Sequence, residues 1–163
     1  MKTTLCTVTE KIYNSFDDAQ PNLAKWKEHS LKLVFTNGCF DILHRGHFTN
    51  LIKSSMLGDK LIIGLNSDAS VQKLKGITRP INKQLDRAFM LASLNFVDAV
   101  IIFSDATPLN LIKAIKPNIL TKGGDYDKES IIGAKEVLEK GGEIIIMPLV
   151  ANYSTTNIIN KIK

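Results

Sequence analysis

Five short apolar runs, each followed by a stretch with helical spacing, constrain the fold of this chain more than any other feature. The runs are Leu31–Thr36, Lys60–Leu65, Asp98–Phe103, Asn118–Thr121 and Glu143–Met147. Lys60–Leu65 is continuous rather than alternating, which is the pattern of a strand covered on both faces. Between the runs, Gly46–Met56, Ala69–Lys75, Lys83–Asn95, Pro108–Ile115 behind a Thr107 cap, Glu129–Glu139 and Ser154–Ile162 read as helices. Strands alternating with helices over short connections imply a parallel sheet with right-handed crossovers. The expectation is an α/β, Rossmann-like five-stranded parallel sheet sandwiched by helices over residues 31–163. Residues 1–30 read as a short helical N-terminal extension, with Pro21 between two segments and Trp26 as a packing anchor.

The 163 residues suit one such domain. The two cysteines, Cys6 and Cys39, lie far apart and have no companions at metal-ligand spacing. No apolar stretch reaches the roughly 18 residues of a membrane span, and the N-terminus lacks a signal-peptide core. A cytoplasmic protein is expected. The net charge is +5, but the lysines are dispersed and not interleaved with aromatics. That pattern gives a solvated surface, so neither a nucleic-acid partner nor a membrane is expected.

In open parallel sheets ligands bind outside the carboxyl ends of the strands. The segment Thr36-Asn37-Gly38-Cys39-Phe40-Asp41 leaves the first run at that edge. Around Gly38 the backbone N–H groups of Cys39 and Phe40 can point at phosphate oxygens, although an ordinary strand-to-helix turn has the same look. His44 and His47 follow, three residues apart and so on one side of a helical turn, with Gly46 between them. Each imidazole can donate to a phosphate oxygen, and the helix N-terminus favours an anion. Read alone, the pair also fits a metal site short of its other ligands, or two structural histidines. The chain closes with Ser154-Thr155-Thr156 at a helix start: a plain N-cap, or a second phosphate cradle.

Together these residues resemble the nucleotidyltransferase superfamily marked by His-x-Gly-His. Within it the landmarks are similar to those of the heptose 1-phosphate adenylyltransferase domain of bacterial ADP-heptose synthases. They are Phe35–His47, Gly64–Val71, Leu74-Lys75-Gly76, Arg79-Pro80-Ile81-Asn82, Asp86-Arg87-Ala88, Lys122–Tyr126 and Tyr153–Thr156, in order. The resemblance implies transfer of AMP from ATP to D-glycero-D-manno-heptose 1-phosphate, giving ADP-heptose and pyrophosphate. The sugar phosphate oxygen would attack the α-phosphorus in line, for lipopolysaccharide or another surface glycan. A cytidylyl- or guanylyltransferase acting on glycerol phosphate or another sugar phosphate is the alternative. A non-catalytic nucleotide-binding regulator is the rival from another class.

The resemblance assigns His44, His47 and Lys75 to catalysis and charge neutralisation. It assigns Thr36, Gly38, Cys39, Phe40 and Gly46 to the backbone cradle, and Arg87 to the triphosphate. Ser154, Thr155 and Thr156 would grip the β- and γ-phosphates. Gly124 and Asp125 would lie at the nucleotide edge, and Asn66 and Asp68 on the sugar side. Mg2+ is expected to arrive on the phosphates with no dedicated carboxylate cage, and a homodimer is implied. One departure is plain: Asn157, Ile158 and Ile159 stand where the superfamily often places a cation.

Overall fold

In the computed structural model, which describes residues 4–124, 127–148 and 153–162, the elements follow in this order. They are α1 (Leu5–Thr9), β1 (Ile12–Tyr13), α2 (Phe16–Glu28), β2 (Leu33–Gly38), α3 (Arg45–Ser55), β3 (Lys60–Asn66), α4 (Asp68–Lys75), α5 (Gln84–Ala92), β4 (Ala99–Phe103), α6 (Leu109–Ile115), β5 (Ile119–Gly123), a 3-10 turn (Lys128–Ser130), α7 (Ala134–Leu138), β6 (Glu143–Met147) and α8 (Thr155–Ile162). The strands form one sheet in the order β1-β4-β3-β2-β5-β6, with every pairing parallel.

The continuous apolar runs have a simple cause, because both faces of the sheet are covered. On one face Phe35, Ile62, Ile101, Leu120 and Ile144 pack with Ala19 and Leu23 of α2, Ile112 and Ile115 of α6 and Val137 of α7. On the other, Val34, Leu61, Ile63, Val100 and Ile119 pack with Val8 of α1, Leu51 of α3 and Ala88 and Leu91 of α5. Each fully buried Ile, Leu or Val contributes about 1.5–3 kcal/mol. Among the described residues no helix is long and apolar enough to cross a membrane.

Three expectations are corrected. The sheet has six strands, not five, because Ile12 and Tyr13 of the supposed helical preface pair with Val100 and Ile101. Pro21 does not divide two segments but lies inside α2. Its exposed ring faces solvent, while Ser15 caps the helix and Ala19 and Leu23 bury the opposite side. Packing thereby outweighs the roughly 3 kcal/mol cost of an interior proline. Finally, the helix expected over Glu129–Glu139 is broken into the 3-10 turn and α7. Gly133 sits at φ 87°, and a Cβ there would lie 2.5 Å from Ile112 Cδ1. The chain turns sharply at this point to seat α7 against α6.

The reversal of strand order falls between β2 and β5. β2 stays in register with β3 from Leu33↔Lys60 to Gly38↔Leu65. With β5 it pairs only at Val34↔Ile119 and Phe35↔Leu120. Beyond that point the two strands part, and side chains span the gap. Thr36 Oγ1 donates to the Thr121 carbonyl at 3.1 Å, and the Ser54 and Thr121 hydroxyls meet at 2.9 Å. Lys122 Nζ donates to Asn37 Oδ1 at 3.2 Å.

Candidate active site

The parting of β2 and β5 opens a cleft of about 360 Å³ at the carboxyl edge of the sheet, flanked by the starts of α3 and α8. Its wall includes Thr36, Gly38, Cys39, Phe40, His44, Gly46, His47, Lys75, Ser154, Thr155 and Thr156, so the structure brings these expected site residues together. The loop leaving β2 turns through Phe40, whose φ is 47°. Phe40 is buried and meets the His47 ring edge-on, with centroids 5.2 Å apart.

His44 caps α3 by position but gives it no side-chain hydrogen bond, so its imidazole is available to the cleft. The His44 and His47 rings stack at 3.8 Å with 20° between planes. Gly46 permits this arrangement, since a Cβ there would come within 3.1 Å of the His44 ring and 3.3 Å of Tyr153 Cβ. Burial, and then the proximity of His44, push His47 down to about 4, and burial also lowers His44. Near neutral pH the pair is therefore uncharged.

The Nδ1 atoms of both rings and Oδ1 of Asn50 are buried with no hydrogen-bond partner among the described residues. Leaving a buried polar atom unpaired costs about 1–3 kcal/mol. Three such atoms at i, i+3 and i+6 along the start of α3, beside a cleft, fit a site that completes its hydrogen bonds with a ligand.

Opposite the histidines, α8 begins. Thr155 Oγ1 donates to the Ile42 carbonyl at 3.3 Å and ties this helix start to the histidine loop. Tyr153 stacks at 6.4 Å from the His44 ring, and the Arg45 guanidinium lies 6.0 Å from the Tyr153 ring. Lys75 reaches the cleft from the last residue of α4. The Cys39 thiol is pushed up by burial, which leaves it in the neutral form.

Four expected residues are not brought to the cleft wall. Arg87 is fully buried behind the loop, donating to the carbonyls of Cys39 (2.6 Å), Asn66 (2.9 Å) and Asn82 (2.9 Å) and pairing with Asp68 at 2.7 Å. Asn66 also spends its side-chain amide on Ser70. The three residues form a brace that joins the loop after β2 to the end of β3 and the segment before α5. Gly124 is buried, and its N–H donates to the Met147 carbonyl rather than facing the cleft. Asp125 lies outside the described residues.

Asp41, Asn50 and Lys122 were not singled out from the sequence, yet all three line the cleft. Asp41 is a hub. One carboxylate oxygen accepts from the backbone of Ile81 and Asn82, and the other pairs with Arg79 at 2.5 Å. Asn50 stands three residues beyond His47, on the same helix face, and that spacing was the available signal. Asp41 is the one carboxylate among the described lining residues, and both its oxygens are engaged. Among the described residues no group of three His, Cys, Asp or Glu could hold a metal ion.

A family model described as cytidylyltransferase-like matches residues 35–161. Among curated relatives, the chain is 47% identical over 152 residues to the bifunctional protein HldE of Nitrobacter hamburgensis, covering 93% of this chain and 31% of that protein. It is 50% identical over 145 residues to HldE of a Caulobacter species, covering 89% and 30%. The chain thus spans under a third of the length of these relatives. Of solved structures, a lipopolysaccharide core biosynthesis protein from Thermoplasma volcanium superposes with a TM-score of 0.61 at 26% identity, covering 76% of this chain and 99% of that one. A pantoate–β-alanine ligase from Francisella tularensis, at 17% identity and a TM-score of 0.62 over 93% and 77%, shares the fold. The sheet that parts at β2 and β5, the stacked histidines at its mouth and the match over most of the sequence agree: the chain belongs to the cytidylyltransferase-like family.

Proposed function

We propose that this chain is an adenylyltransferase that transfers AMP from ATP to D-glycero-D-manno-heptose 1-phosphate, releasing pyrophosphate and forming ADP-heptose. The observation that carries this reading is the stacked His44–His47 pair. Its unpaired buried nitrogens share one cleft with the hydroxyls of Ser154, Thr155 and Thr156. Such a cleft suits a chain of phosphates held at several points. In-line displacement at phosphorus needs positioning and charge stabilisation rather than a nucleophilic side chain, and the uncharged imidazoles and inert Cys39 thiol suit that demand.

In this reading His44 and His47 donate to the α-phosphoryl oxygens, where negative charge grows as the acceptor oxygen adds and pyrophosphate departs. Ser154, Thr155 and Thr156, with the N-terminal field of α8, hold the β- and γ-phosphates. Lys75 neutralises phosphate charge from the end of α4. Arg87 acts at one remove, by holding the Cys39 carbonyl and so the loop that forms the floor. Magnesium, carried in by the triphosphate, would supply further charge neutralisation. The sugar assignment rests on the likeness to HldE proteins and on the flanking landmarks rather than on the cleft itself. The same reading places the enzyme in the cytoplasm as a homodimer, a state that sedimentation equilibrium checks.

The test is incubation with each of the four nucleoside triphosphates and each heptose 1-phosphate anomer, with pyrophosphate measured and the product weighed by mass spectrometry. ADP-heptose formed from ATP alone is expected. Turnover with CTP or GTP but not ATP overturns the adenylyl assignment. Nucleotide binding without pyrophosphate release for any acceptor favours a regulator.

A further inference from the structure

A second cavity of about 200 Å³ adjoins the first and is lined by Asn37, Pro108, Lys122, Ser130, Ile131 and Ile132. Asn37 and Lys122 line both cavities. The two side chains are joined by the 3.2 Å hydrogen bond that crosses the gap between β2 and β5. They form the partition between the spaces, and the hydrogen bond engages one of three ammonium protons.

The chemistry of the two spaces differs. The larger holds the histidines and the α8 hydroxyls, suited to a run of phosphates. The smaller offers an amide, an ammonium and the Ser130 hydroxyl against an apolar wall of Pro108, Ile131 and Ile132. Ser130 Oγ already donates to the Asp127 carbonyl at 2.7 Å, so its oxygen presents lone pairs. A lining that combines donors and acceptors with aliphatic surface suits a hydroxylated ring, whose edge is polar and whose face is not. Burial also lowers the Lys122 ammonium, and a neighbouring anion would offset that.

We propose that the smaller cavity is the subsite for the polyhydroxylated part of a phosphorylated acceptor, and that Lys122 in the partition holds the acceptor's phosphate where the two cavities meet. This deepens the adenylyltransferase reading and rests on it for the identity of the acceptor. The arrangement gives Lys122 a task distinct from that of Lys75 at the end of α4. It also explains why a lysine stands half-buried near the carboxyl end of β5.

The test has two arms. In the first, ¹⁵N-labelled protein is titrated separately with D-glycero-β-D-manno-heptose 1-phosphate and with ATP. The sugar phosphate is expected to shift the amides of Ser130, Ile131 and Ile132, and ATP those of His44 to His47 and of α8. Sugar-phosphate shifts confined to the histidine cleft, or no shifts where ATP gives them, overturn the proposal whether or not turnover occurs. In the second arm, Lys122→Met and Ser130→Ala are assayed for pyrophosphate release. Lys122→Met is expected to raise the acceptor KM at least tenfold, with ATP affinity within about threefold of wild type. An unchanged acceptor KM, or an equal loss of ATP affinity, overturns the assignment. Absence of turnover in the wild type overturns the enzymatic reading alone, and the titration still decides the subsite.

Discussion

Arg87 separates two accounts of the same residue, and its removal distinguishes them. As a triphosphate ligand, Arg87 would be dispensable for folding. As a brace, it satisfies the carbonyls of Cys39, Asn66 and Asn82 at once. Arg87→Met keeps the aliphatic stem and orphans all three. A fully buried orphan costs about 1–3 kcal/mol. Only the bond to Asn66 is wholly buried, so water relieves part of the cost at the other two. A total of about 3–5 kcal/mol follows. The pair with Asp68 adds little, because its carboxylate side chain is 32% exposed. Against a typical stability of about 5–15 kcal/mol the loss is large. With a urea dependence of about 2 kcal/mol per molar, the unfolding midpoint falls by roughly 1.5–2.5 M. Trp26, the one tryptophan, packs on the core and reports the transition by fluorescence. Arg87→Lys retains the charge but not the fork, and is expected to lose about half as much. It also supplies the measurement should Arg87→Met fail to fold. An unchanged midpoint with a hundredfold loss of ATP affinity would refute the brace and restore Arg87 to the triphosphate.

The histidine pair makes two further predictions. His47→Ala should lower kcat by about 10²–10³, the usual cost of one transition-state donor, with the unfolding midpoint little changed; stopped pyrophosphate assays and urea titration check both. His47 is pushed down to about 4 in the free site, and a bound triphosphate favours its protonated form, so the complex holds more proton than the free protein. Nucleotide affinity should therefore rise as pH falls from the value His47 takes in the complex toward about 4. Calorimetry near pH 6 in buffers of different ionisation enthalpy should show proton uptake, and identical heats would refute it. Thr155→Ala removes a hydroxyl that also ties α8 to Ile42; ATP binding should weaken about fivefold to tenfold, a loss near 1 kcal/mol, measurable by equilibrium titration. Gly46→Ala brings a methyl against the His44 ring and should lower turnover while circular dichroism stays unchanged.

What the sequence made legible was local. Ile62 and Ile63 face opposite sides of the sheet and are both buried, so the β3 run carries its own signature of a strand covered twice. His44 and His47 share a helical turn and could be placed together from spacing alone. The brace was not legible, because the partners of Arg87 come from three separate segments, and a resemblance assigns a role without assigning burial. Strand β1 was hidden for a related reason. Two residues carry no periodicity, and Ile12 and Tyr13 are a strand only because β4 lies beside them. The break at Gly133 is set by Ile112 on another helix, a contact no local window contains.

The two residues of β1 have a consequence for how the molecule behaves among its own copies. β4 is Ala-Val-Ile-Ile-Phe, uncharged and buried along its whole length. Its outer side is closed only by Ile12, Tyr13 and the Lys11 carbonyl, which accepts from the Val100 N–H at 2.8 Å. A short, high-β-propensity stretch with an open ladder recruits further strands and seeds aggregates. β1 occupies that ladder yet is too short, and too close to Lys11, to serve as a template in turn. A domain cut at residue 31, where the regular alternation of strand and helix begins, would retain the cleft-lining residues but lose this guard together with the core cover of Val8, Ala19 and Leu23, so it would fail through stability and self-association before chemistry.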